Sequence, residues 1–230
     1  MESVIYKKKT GILFILYAAF LLIFAYGWHF GLPYYGTLDN YITMIQSNNW
    51  IMINLIGWIG ILFGVFALFF LYGDMAANLK LTGNIGFIAV IVSFLIHLCL
   101  VSWEAFIWPV LAYDEQARLL IQNGVLIKSP QIIILYSLFS LTFLTGFILL
   151  GIALIKARFF SKPLVLLTIT GSFLYSFAVA IGGYAGLIAF TVYLAGIMGL
   201  GIVIVKKSKS AVYAAEYGAN PLVLNQLSNE

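Results

Sequence analysis

The sequence predicts an all-α fold: a polytopic integral membrane bundle of six transmembrane helices with both termini in the cytoplasm. Composition is the first observation behind this. Of 230 residues, 63% are hydrophobic and 9% are charged, with a mean hydropathy of +1.06. That leaves too little polar surface to clothe a water-facing globule, and it excludes disorder and coiled coil. The second is that the apolar residues gather into six blocks, each near the ~20 helical residues that cross a hydrocarbon core of about 30 Å. The third is that runs such as Ile88-Ala-Val-Ile-Val-Ser-Phe-Leu-Ile96 are apolar on nearly every face, where a barrel strand would alternate. In lipid the helix is then the structure that satisfies the backbone.

The first span, Gly11 to Phe30, follows Lys7, Lys8 and Lys9. Its apolar run exceeds that of a signal peptide and ends in Gly27-Trp28-His29-Phe30 without a small-x-small site, so it reads as a retained helix. The second span is Trp50 to Tyr72. The third is Thr82 to Trp103, with a continuation to Trp108 that the residues permit. The fourth is Ile132 to Ile155, the fifth Pro163 to Ile181 and the sixth Tyr184 to Val205. Residues 1–205 thus form one bundle and 206–230 a short cytoplasmic tail. The longer links are Gly31 to Asn49 and Leu111 to Gln131, and Asp114 to Leu126 has the composition of a short surface helix with Leu119, Leu120 and Ile121 at the interface.

Of the 12 basic residues, all but Arg118 and Lys128 fall on the side that holds both ends of the chain. The positive-inside rule makes that side cytoplasmic, for a multi-pass protein of the cell membrane. Trp28, Trp50, Trp103 and Trp108 fall at the opposite boundary, where an aromatic belt is expected. The net charge of +4 is spread over span flanks and forms no aromatic-interleaved patch, so no nucleic-acid partner is predicted. The one cysteine, Cys99, permits no intramolecular disulfide and no cysteine-based zinc site.

The link Lys156-Ala-Arg-Phe-Phe-Ser-Lys-Pro163 leads into Leu-Val-Leu-Leu-Thr-Ile-Thr-Gly171. This basic, proline-started hairpin and the overall architecture resemble small uncharacterised six-span integral membrane proteins of bacteria and archaea. The resemblance implies the architecture and carries no functional residue with it.

His97 is the leading candidate for function, because an imidazole inside a span is costly unless it has a partner, a cavity or a ligand. Glu104 lies two helical turns further along the same face, with the backbones about 10 Å apart, so a water or ligand is needed to bridge them. Two roles fit the pair. In one, His97 and Glu104, with Trp103 and Trp108, line a ligand pocket; in the other, His97 bonds a hydroxyl or carbonyl of a neighbouring helix and Glu104 sits among headgroups. His29 is expected at the boundary, about 8–10 Å shallower than His97, which argues against bis-histidine haem. No cofactor or metal is predicted.

Gly57, Gly60 and Gly64, and likewise Gly182 and Gly186, form small-residue faces suited to close helix packing or to docking of membrane subunits. The hydroxyls of spans four and five read as packing groups. HExxH, GxSxG, a Walker loop and paired intramembrane aspartates are missing from the sequence, so the enzyme classes that need them lack their groups. The function expected is therefore non-enzymatic: binding of a membrane lipid or other small amphipathic ligand in an outward-facing intramembrane pocket lidded by the Pro33-to-Asn49 loop. The alternatives are an accessory subunit of a larger respiratory or transport complex, and a haem- or proton-handling redox protein.

Overall fold

A computed structural model describes residues 2–33, 38–126, 128–181 and 183–217. These residues are helical almost throughout, with no strand among them. Helix α1 (Glu2–Tyr26) continues as a π-helical turn, Gly27–Gly31, and stops where Leu32 turns extended ahead of Pro33, the conformation that a following proline imposes. A short α2 (Leu38–Ile45) leads to α3 (Asn48–Met75). Helix α4 (Leu81–Ser102) passes through a second π turn, Trp103–Ile107, into α5 (Trp108–Tyr113). Then come α6 (Glu115–Gln122), α7 (Pro130–Lys156), α8 (Lys162–Ile181) and α9 (Gly183–Tyr217).

Five of the described helices are long and apolar enough to cross a membrane: Lys7–Gly31, Asn48–Asn78, Leu81–Tyr113, Pro130–Lys156 and Gly183–Ser208. Helix α8 is apolar over its described residues, Lys162–Phe177. The long helices and α8 close into a ring in the order α3, α1, α9, α8, α7, α4 and back to α3. The short helices α2, α5 and α6 pack together over one end, the cap end. The opposite end carries the lysine-rich links, and there Lys207 Nζ donates to the Phe159 carbonyl at 2.8 Å.

Glycines set the spacing of the ring. Lipid tails are as apolar as leucine, so helices hold together through close packing. A Cβ on Gly201 would lie 2.7 Å from the Gly11 carbonyl across α1 and α9, and one on Gly171 would lie 2.5 Å from the Tyr193 backbone across α8 and α9. Between α4 and α7, a Cβ on Gly146 would meet the Val90 nitrogen at 2.7 Å, and one on Gly86 would collide with Leu150. Within the ring Tyr17 stacks on Phe94 at 5.2 Å, Tyr193 meets Phe143 at 5.0 Å, and the Tyr17 and Tyr193 hydroxyls share a buried bond of 3.0 Å.

The structure sharpens some expectations and corrects others. Of the two uses expected for the Gly57, Gly60 and Gly64 face of α3, the structure shows helix packing: Phe24, Phe20, Leu21 and Tyr17 of α1 cover it. Gly182 lies outside the described residues. The last apolar span, Gly183–Ser208, agrees with the expected Tyr184 to Val205, and the helix that contains it, α9, is described to Tyr217. The tryptophans do not form a lipid-facing belt: Trp50 is 0% and Trp108 4% exposed, while Trp103 is 41% exposed. The buried pair joins Tyr41, Ile42, Met44, Ile45 and Ile121 in a core of its own at the cap end.

Candidate functional site

The two π turns, both at the cap end, place the ionisable groups of interest. Around the second, the Trp108 N–H bonds the Trp103 carbonyl five residues back, and Pro109 has no N–H to offer Glu104. The Glu104 carbonyl is left without a helical donor. The indole of Trp50 supplies one at 2.7 Å, which accounts for a fully buried tryptophan at the start of α3. Trp50 is held in turn by Trp28, whose ring lies 4.9 Å away. Asn54, buried one turn further along, donates to the Trp50 carbonyl at 2.9 Å and accepts from the Trp28 indole at 3.2 Å.

The Glu104 side chain is half-buried, and Tyr41 of α2 donates to its Oε2 at 3.2 Å. The loop expected to act as a lid therefore reaches the candidate carboxylate through Tyr41. Around this group lies a cavity of about 430 Å³, lined among others by Tyr41, Trp103, Glu104, Trp108, Leu135 and Tyr136. A second cavity of about 350 Å³ lies on the ring side, lined by His29, His97, Glu104, Tyr136, Tyr175 and Phe190 among others. Glu104 and Tyr136 border both.

The structure thus brings Trp103, Glu104 and Trp108 around one cavity and sets His97 on the other, with Glu104 common to the two. His97 is half-buried, with its ring 5.0 Å from that of Phe139. The hydroxyl or carbonyl partner proposed for it is not found among the described residues, and Ser93 bonds its own helix at Val90. His29 lines the same cavity as His97. Its Nδ1 faces the Ala25 carbonyl at 3.2 Å and its Nε2 the Gly183 carbonyl at 3.1 Å. Axial ligation would require one of these contacts to break.

Three lining residues escape the sequence argument. Tyr41 lies in a polar link, and nothing in one sequence shows it folding back to the third span. Tyr136 is one of several hydroxyls along α7 and Cys99 lies two residues from His97 in α4, and nothing in the sequence singles either out as facing a cavity. The hydroxyls of Ser137, Thr142, Thr145, Thr168, Ser172 and Ser176 all donate to carbonyls of their own helix. They satisfy themselves locally and assemble no polar path.

Fold and cavities together define the class: an all-helical chain with five helices able to cross a membrane, carrying two cavities that meet at a carboxylate. No known protein family, curated protein or solved structure matches the chain, and the functional reading rests on this geometry.

Proposed function

We propose that this is a six-span protein of the cell membrane, with both ends cytoplasmic, that binds a small amphipathic or lipid-like ligand in the cavity at Glu104. It acts by binding and carries out no covalent chemistry. The observation that carries the reading is the combination of about 430 Å³ of largely apolar space with one carboxylate and several aromatic polar tips. Ligand sites commonly have this volume and this make-up, an apolar body with a few convergent polar groups. The topology is supported by the lysine-rich links gathered at the end opposite the cap, which the positive-inside rule assigns to the cytoplasm. The cap end then faces outward and α2 is the lid.

The test is native mass spectrometry of the full chain purified from its membrane in mild detergent. A retained small adduct is expected, and Leu135→Trp, which fills the lining, should release it with helical content unchanged. An adduct that survives this substitution overturns the assignment to this cavity.

A further inference from the structure

The lining of the Glu104 cavity has a narrower meaning than amphiphile binding, and the following inference rests on that reading. Trp103 and Trp108 stand edge to face, their centroids 6.2 Å apart and their planes at 82°, and Tyr41 meets Trp108 at 5.9 Å and 84°. Tyr136 completes the aromatic side. Aromatic walls set at right angles present π faces and edges to one volume, and the Glu104 carboxylate stands among them, hydrogen-bonded by Tyr41 at Oε2 and by the Trp108 side chain. Among the described residues the lining contains no lysine, arginine or histidine. Lys128, next in sequence to the lining residue Ser129, is exposed, and the two histidines line the adjoining cavity.

An anionic head is therefore disfavoured, since it would face a carboxylate with no compensating cation. An inorganic divalent ion is also disfavoured, because calcium takes six to eight oxygens and magnesium a near-ideal octahedron of them, whereas Glu104, Ser129, Gln131 and two phenols supply few on a mostly carbon surface. A large, weakly hydrated organic cation matches both halves of the lining: aromatic faces attract it through their quadrupoles, and a desolvated carboxylate balances its charge. We propose that the ligand of this cavity carries an organic ammonium head, as a choline-type lipid or as a free amphipathic amine, held by Glu104 between Trp103, Trp108 and Tyr136 with its chain along Leu100, Ile132 and Leu135.

Isothermal titration of the full chain in neutral maltoside micelles tests this with decyltrimethylammonium and, as a chain-matched neutral probe, decanol. One saturable site is expected, with the ammonium bound at least about tenfold tighter than the alcohol. Glu104→Gln should remove most of that preference and leave decanol binding in place. Trp103→Leu, at an exposed position, should weaken the ammonium about fivefold and serves as the second variant if Glu104→Gln fails to fold. Equal affinity for the two probes, or a preference that persists in the variants, overturns the ammonium assignment while leaving the amphiphile site standing. Failure of both probes to bind removes the site itself. Competition by phosphatidylcholine, with none from diacylglycerol of the same chains, identifies the lipid head as the source; ammonium binding unaffected by either lipid identifies the free amine.

Discussion

The two ends of the bundle solve the packing problem in opposite ways. Through the ring and toward the lysine-rich end, glycines let backbones touch, and the gap that remains among Phe14, Leu68, Phe147 and Leu200 is about 20 Å³. At the cap end two π turns and Pro109 break helical regularity, indoles pack between the helices, and about 430 and 350 Å³ stay open. The comparison teaches that space for a ligand appears where helices are irregular and held apart by large side chains, and that their polar loose ends are then satisfied from other helices. One end is specified by contact and the other by hydrogen bonds to orphaned groups.

The largest effect expected from breaking this contrast is at a glycine crossing. Gly146→Val would drive a side chain into the α4 backbone at Val90 and should destabilise the bundle by about 3 kcal/mol, seen as a lower midpoint of thermal unfolding by circular dichroism in detergent. Gly73→Ala is the matched control. Nothing lies within 4 Å of that position, so its midpoint should stay or rise.

Next comes Trp50→Phe, which strands the Glu104 carbonyl at the π turn and should cost about 2 kcal/mol. Hydrogen exchange should show the loss at residues 103–113, with the α1–α9 crossing unaffected; uniform loss across the ring would mean that the two ends are not separable. Smaller still is Asp114→Ala. The Asp114 side chain caps α6 by accepting from the Ala117 N–H at 2.8 Å, and its removal should cost about 1 kcal/mol, confined to α6 exchange. The smallest is Tyr17→Phe in the ring, at about 0.6 kcal/mol, the usual value of a hydrogen bond between membrane helices. Adding Tyr193→Phe should recover part of that loss, because removing both partners leaves no buried hydroxyl unsatisfied, and a double-mutant cycle in unfolding free energy measures it.

Much of the fold was legible in one dimension. Apolar block length marks the five long helices and α8, and α6 forms within the expected surface segment with Leu119 and Leu120 exposed, but Ile121, expected at the interface with them, is buried in the cap core. The Pro33 and Pro109 irregularities have local causes, yet a π turn differs from an α turn by one hydrogen-bond step, and no residue pattern announces it. The site was half legible. Trp103, Glu104 and Trp108 lie within six residues on one segment, so their proximity follows from the chain itself. His29 and His97 on one cavity, Tyr41 on Glu104 and Trp50 on the freed carbonyl join segments far apart in sequence.

What the sequence by itself determined is where the long helices lie and that five of them are apolar enough to cross a membrane, because apolar runs of that length leave a chain of this composition little but helix; α2 and the two π turns it did not mark. What only the tertiary structure decided is which helix covers the Gly57–Gly64 face, that two of the tryptophans turn inward, and that two cavities meet at Glu104. Those outcomes depend on which helices are neighbours, and in lipid that choice is made by shape fit and hydrogen-bond completion between segments, quantities that no single segment encodes.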